Sequence, residues 1–235
     1  ADAFSEQLRT PMAISETTKA QMRDALELYP RKRSALMPLL HLAQADEGHV
    51  TPEGLALVAE MVGLTEAEVT AVASFYTMYL KRQSGRVRVG VCINSLCAIL
   101  GGDAIWDALV DHCGVGHSQT TNDGALTLER IECQAACTHA PVMTANWEFL
   151  DDMTVEKAKQ VVDDVRAGRP VASTRGPAVR SFVEAERTIA GVDDGLTADG
   201  DHRDERTLAG LRLAQSNGDA EATARAQAAA AGRGR

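Results

Sequence analysis

Long apolar runs are missing from this chain. Hydrophobic residues make up 45% of its 235 residues, but none of them collect into anything near the ~20 residues of a membrane span, so direct membrane insertion is not expected. A secretion signal is missing too: Ala1-Asp2-Ala3-Phe4-Ser5-Glu6 has neither a basic nor an apolar region, which points to a reducing compartment. No Gly-x-Gly-x-x-Gly follows a predicted strand. Gly114-Val115-Gly116 follows a helical stretch and lacks the third glycine, so it reads as a turn and no dinucleotide site is expected. Basic runs reduce to Arg31-Lys32-Arg33, a solvated turn between helices. With a net charge of −9, this argues against nucleic acid as a partner. The acidity is uneven: residues 1–167 hold 14 Lys+Arg against 23 Asp+Glu, whereas residues 168–235 hold ten of each and no lysine.

Cysteine is also scarce, with five in all, yet four of the five fall into two tight pairs, Cys92 with Cys97 and Cys133 with Cys137. Thiolate is the soft donor that iron-sulfur chemistry requires, and four thiolates satisfy the two irons of a 2Fe-2S centre with two each. Spacing alone leaves tetrahedral zinc open, since C-x4-C and C-x3-C lie within its range although C-x2-C is commoner. Two disulfides are disfavoured by the compartment, and a chain this long needs no staples. Four unrelated buried thiols do not suit the short polar loops Cys-Ile-Asn-Ser-Leu-Cys and Cys-Gln-Ala-Ala-Cys. Cys113 falls on the apolar stripe of Ile105 and Leu109 and is expected to be a buried structural thiol. None of the six histidines pairs with another at ligand spacing; His139, beside Cys137, is expected to be an exposed loop residue or an outer hydrogen-bond donor.

The hydropathy pattern divides the chain into an N-terminal helical region over residues 1–84, a mixed domain over 85–170 and an extended tail over 171–235. In the first, four helices fit between about Glu16 and Leu80. Ser34 is placed to cap the second, Thr51 with Pro52 to open the third, Gly63 to close it, and Thr65 with Glu68 to form a capping box. Val69, Val72, Ala73 and Tyr76 make an inward stripe, which leaves Phe75 or Tyr79 for the junction with the next domain or a partner. Strands are expected at Arg86–Val91, Leu126–Ile131 and Val142–Trp147, with helices ending at Cys113 and following Thr154, and a turn at residues 148–152. Both cysteine pairs then lie at strand ends of a small mixed sheet covered by helices. The tail is too poor in large apolar residues to build a core and is expected to be disordered alone. Val179–Ala190 and Thr207–Gln215 are read as short helices formed on another subunit, with Phe182, Val183 and Ile189 as contacts.

Three stretches carry a family resemblance: Val72-Ala73-Ser74-Phe75-Tyr76-Thr77-Met78-Tyr79, then Gly90-Val91-Cys92, then Glu132-Cys133-Gln134-Ala135-Ala136-Cys137-Thr138-His139-Ala140-Pro141-Val142-Met143. Together they resemble the E-subunit family of bacterial NADH:quinone oxidoreductase, respiratory complex I, over about Ala20 to Pro170. The resemblance implies an α+β chain: an N-terminal helical bundle, a thioredoxin-like 2Fe-2S ferredoxin domain, and one 2Fe-2S cluster on Cys92, Cys97, Cys133 and Cys137. It further implies an NADH- and FMN-binding flavoprotein partner that exchanges single electrons with the cluster, and an adjacent iron-sulfur subunit. The place it implies is the peripheral arm, on the cytoplasmic side of the cell membrane. The equivalent subunit of an NAD-linked hydrogenase or formate dehydrogenase shares these features, and a non-redox zinc-binding module is the remaining alternative. Pro141 resembles the proline beside the active site of thioredoxin folds; the residues alone leave the isomer of the Ala140–Pro141 bond open.

Overall fold

The helical region is built on caps that the sequence announces. In the computed structural model, which describes residues 14–176, 178–195 and 204–231, helix α1 (Glu16–Glu27) starts at Ser15, whose hydroxyl accepts from Thr18 N. Helix α2 (Leu36–Glu47) ends at Gly48. Helix α3 (Pro52–Val62) starts at Thr51, with its proline at the first position where no N–H is needed, and stops at Gly63 with φ +74°. Helix α4 (Glu66–Phe75) carries both halves of the Thr65–Glu68 capping box. Asp46, near the end of α2, accepts from Ser15 N and Thr18 Oγ1 and so fixes the start of α1. Met22, Leu39, Leu40, Leu42, Val58 and Val69 form the core between these helices.

Two expectations fail here. Ser34 does not cap α2: it lies inside a 3-10 turn over Lys32–Ala35 that leads directly into the helix, and Ala35 occupies the cap position without a side-chain bond. Tyr76 is not inward. Helix α4 stops at Phe75, so the 3.6-residue period ends one residue short of it. The extended backbone that follows leaves Tyr76 41% exposed and buries Tyr79 instead, whose hydroxyl donates to Met37 O at 3.1 Å. Phe75 remains exposed.

The second layer is a five-stranded sheet: β1 (Val87–Cys92), β2 (Gln119–Thr120), β3 (Leu126–Ile131), β4 (Met143–Ala145) and β5 (Glu148–Leu150), in the order β2-β3-β1-β4-β5. Strands β1 and β3 are parallel, with Cys92 opposite Ile131, and the remaining pairs are antiparallel. A parallel pair demands a crossover, supplied by α5 (Ser95–Ile99) and α6 (Gly102–Cys113). Val89, Val91, Leu126, Leu128 and Met143 pack with Ile105 and Leu109 of α6 and with Ala158 and Val162 of α7 (Val155–Arg166), which Thr154 caps. The expected turn at 148–152 is a correction: residues 148–150 are β5. The chain reverses instead at Asn146 and Trp147, which take φ +44° and +68°. Asparagine tolerates this region, and Asn146 is held there by accepting from Arg88 N and donating to Arg180 O, both at 2.8 Å.

The first part of the tail also differs from expectation. Residues 168–176 and 178–195 form a strap against the sheet and α2. Thr174 N donates to Phe149 O at 2.9 Å along the β5 edge, and Arg175 forks onto Asp151 at 2.6 and 2.9 Å. Helix α8 (Phe182–Ile189), opened by a Ser181–Glu184 capping box, then packs on α2 of its own chain. Phe182 is 6% exposed and stacks on Trp147 at 5.6 Å, so it contacts this chain rather than a neighbouring subunit. Glu186 is fully buried with its Oε2 2.7 Å from His41 Nδ1 of α2. Window-averaged hydropathy misses this, because the segment is held by one aromatic ring, a few small apolar side chains, the Arg175–Asp151 fork and the Glu186–His41 hydrogen bond rather than by a run of large apolar residues.

A second compact unit begins after Asp199. It contains α9 (Glu205–Ala231), a 27-residue helix that takes in the short one expected at Thr207–Gln215. Alanine, the best helix former, accounts for its length. The rest of the tail, at 196–203 and 232–235, lies outside the described residues.

Candidate metal centre

Strands β1 and β3 run in the same direction and stop in register, so the loops that follow them emerge at one end of the sheet. The first loop carries Cys92, the last residue of β1, and Cys97 in α5; the second carries Cys133 and Cys137. Backbone bonds join the loops at their roots, from Ile93 N to Ile131 O at 3.3 Å and from Cys92 N to Val142 O at 3.1 Å. Asn94 Nδ2 donates to Glu132 Oε2 at 2.7 Å, a side-chain bridge between the loops that sequence reading missed.

All four candidate cysteines are brought together. The Cys133 and Cys137 sulfurs are 3.8 Å apart, and a tetrahedral metal with bonds of about 2.3 Å to sulfur holds two sulfurs about 3.8 Å apart. Burial, the hydrogen bond with Cys92 and the charges of Cys92 and Cys137 push the Cys97 thiol up to about 11, against a lowering by the Val142 N–H that donates to its sulfur. The Cys137 thiol is raised chiefly by Cys133, with a contribution from Cys92. Cys97 and Cys137 therefore each sense one member of the other pair. Such mutual repulsion is what a bound cation relieves, with release of protons. Among the described residues, no group of three or more His, Cys, Asp or Glu side chains is placed to hold a single metal ion.

The surroundings suit a group of low charge density. Cys92 and Cys97 are 2% and 3% exposed and pack with Ala136 and Val142, whereas Cys133 and Cys137 face solvent. Ala135 N donates to Cys133 Sγ at 3.4 Å, an approach made possible by a left-handed φ of +55°. Gly102, the first residue of α6, lies against the first loop: a Cβ there would sit 2.7 Å from Cys92 O and 2.8 Å from Cys97 O. Four thiols, the sulfur spacing and N–H donors to sulfur fit a 2Fe-2S cluster.

The remaining candidate positions are less central. Cys113 is half-buried at the end of α6, packed on the sheet core with its thiol raised by burial. His139 is buried rather than exposed. It sits in a 3-10 turn, Cys137–His139, with its ring 3.6 Å from the Asp152 carboxylate. The Ala140–Pro141 bond that follows is cis.

Comparison with known proteins adds what geometry leaves open. The family model described as thioredoxin-like [2Fe-2S] ferredoxin matches residues 22–166. The chain is 48% identical over 208 residues to the E subunit of the NADH-quinone oxidoreductase of Mycobacterium tuberculosis (strain H37Rv), covering 88% of this chain and 82% of that protein. It is 34% identical over 139 residues to NADH-quinone oxidoreductase subunit 2 of Thermus thermophilus, covering 59% and 77% respectively. Among solved structures, an air-oxidised NAD+-reducing [NiFe]-hydrogenase matches with a TM-score of 0.51 at 20% identity over 57% of this chain. It is a likeness of fold alone, spanning 23% of that longer chain.

Proposed function

The chain belongs to the thioredoxin-like [2Fe-2S] ferredoxin family, whose model covers residues 22–166, and from this premise we propose that it is the 2Fe-2S electron-transfer subunit of an NADH:quinone oxidoreductase. The 48% identity to the mycobacterial E subunit over 88% of the chain supports complex I over the related NAD-linked enzymes. In this reading Cys92 and Cys97 hold one iron and Cys133 and Cys137 the other. The observation that carries it is the delivery of both pairs to one end of the sheet by the parallel strands β1 and β3. The cluster supplies one-electron exchange without an open coordination position, so no bond-making step is assigned to this chain.

The residues around it have definable tasks. Val142 and Ala135 direct N–H groups at Cys97 and Cys133 and thereby offset negative charge on sulfur. Cys92, Cys97 and Val142 exclude water from the inner side, and Asn94 with Glu132 fixes the separation of the two loops. The chain divides into a helical region to about residue 84, the ferredoxin domain to about 170, and the C-terminal strap and helix. The partners are the NADH- and FMN-binding flavoprotein subunit and the adjacent iron-sulfur subunit. Among the described residues no helix is long and apolar enough to cross a membrane, in keeping with a peripheral-arm place on the cytoplasmic side.

Electron paramagnetic resonance of the dithionite-reduced chain, with iron and sulfide analysis, tests the assignment. Two irons and two sulfides per chain with a 2Fe-2S signal are expected, and co-purification with membrane-embedded subunits. A colourless chain with stoichiometric zinc would overturn it.

A further inference from the structure

Phe149 of β5 joins the cysteine site to the strap. Side chains alternate across a strand. Leu150 accordingly packs with α6 and α7 in the main core, while Phe149 lies on the opposite face of the sheet, against the group formed by Cys92, Cys97, Ala136 and Val142. Further contacts to Phe149 come from a segment beyond residue 166, where the family match ends. Thr174 N and Thr174 Oγ1 both donate to Phe149 O at 2.9 Å. The Arg175 guanidinium stands 4.7 Å from the centre of the Phe149 ring.

Arg175 is itself fixed in that position. It forks onto Asp151, which is 8% exposed, and Asp151 N donates back to Thr174 Oγ1 at 3.1 Å. A bidentate pair sets the plane and place of a guanidinium, and a cation over an aromatic face is attracted to the ring. The strap therefore restrains Phe149 twice, at its carbonyl and at its ring. Val171, buried in the main core, anchors the same segment, and its carbonyl accepts from Val179 N at 2.8 Å.

Loss of a four-thiolate cluster requires release from all four sulfurs. Cys133 and Cys137 are already open to solvent, so the enclosure of Cys92 and Cys97 decides how fast a competing ligand can strip the iron. We infer that Thr174 and Arg175 are positioning residues for the cluster site: they hold Phe149 against the inner thiols and keep water and chelators from that side. This rests on the function proposed above and extends its site to a segment outside the matched residues.

The test uses the full-length, cluster-bearing chain. Bleaching of its visible absorption by a chelator gives the rate of cluster loss, and the dithionite-reduced resonance checks that each variant carries the same 2Fe-2S centre. Arg175→Ala is expected to bleach at least fivefold faster. Arg175→Lys, which keeps a cation for the ring and a contact to Asp151, is expected to stay within twofold of the unaltered chain. So is Arg169→Ala, which removes a strap arginine paired with Asp164 instead. Phe149→Leu keeps an apolar wall without the ring and should also bleach at least fivefold faster. Adding Arg175→Ala to it should change the rate by less than twofold, because both residues act through one contact. Should Arg175→Ala take up no cluster, Arg175→Met, which keeps the apolar stem and loses the fork, is expected to show the same acceleration. A cluster-bearing Arg175→Ala or Arg175→Met chain that bleaches within twofold of the unaltered chain overturns the inference. So does equal acceleration by Arg169→Ala, or full multiplication of the two effects in the double variant. An unaltered chain that takes up no 2Fe-2S cluster defeats the proposed function itself, a result distinct from the failure of this brace.

Discussion

The two cysteine loops offer the same donors on unlike supports. Cys92 ends a central strand and Cys97 lies in a helix; both are almost fully buried, and the start of α6 presses on their carbonyls through Gly102. Cys133 and Cys137 sit in a loop whose shape depends on a left-handed Ala135 and a short 3-10 turn, and both face solvent. The first pair is enclosed by the folded chain, while the cysteines of the second are exposed. Metal binding then contributes most of its ordering energy to the second loop, where the metal-free chain has least to hold it.

The largest effect that sharpens this comparison is loss of the cluster. Serine at any of the four positions should abolish the dithionite-reduced 2Fe-2S resonance, because a hydroxyl is a poorer ligand for iron. Only Cys92→Ser and Cys97→Ser should also lower the stability of the metal-free chain, by about 1–3 kcal/mol, as each buries a hydroxyl among apolar groups. Thermal melting in chelator separates the two pairs, and equal losses in both would erase the distinction. Cys113→Ser should keep its resonance. Next in size, amide exchange in the metal-free chain should be on the order of 100-fold faster at residues 133–137 than in β1. Comparable protection of both loops, read by mass spectrometry, would break the comparison.

Gly102→Ala probes the support of the first loop directly. The added carbon meets two backbone carbonyls, which cannot swing aside as a flexible side chain could. A cost of about 1–3 kcal/mol in denaturant unfolding is expected, with a changed cluster resonance. An unperturbed spectrum and unchanged midpoint would show that the first loop is as pliable as the second. The smallest effect lies at the opposite end of β3, about 20 Å of strand away from Cys133. Acceptance from Thr121 Oγ1 and Ala125 N, helped by Arg166, holds the Asp123 carboxyl at about 2 against an ordinary 3.8. Its contribution to stability is complete above about pH 4 and is lost as pH falls through about 2. Asp123→Asn should therefore flatten that part of the acid limb and cost at most about 1 kcal/mol at neutral pH, the carboxylate being exposed. The cluster resonance should not respond.

What could be read in advance was whatever nearby residues decide. The Thr51–Pro52 start, the Thr65–Glu68 box and the Thr154 cap each depend on residues within one turn, and each stands where its signature places it. The thioredoxin-like fold was legible only through the family resemblance, and cysteine spacing by itself left iron and zinc open. Strand β5 was not legible, because its turn uses Trp147 in a left-handed conformation, which its residue type does not signal, with its ring packed on the distant Arg88 and Phe182. Nor was the exchange of Tyr76 for Tyr79, which follows from where α4 stops rather than from either side chain. The strap was hidden most deeply: its Ser181–Glu184 box was readable, but its destination on α2 is set by residues far away in the chain.

That destination imposes an order of events on synthesis. His41 waits 145 residues for Glu186, which at about 5–20 residues per second is about 7–30 s of translation. For that interval α2 has emerged without the helix that covers it. A released chain that ends before Phe182 would leave this face of α2 uncovered, with the His41 imidazole accessible to solvent.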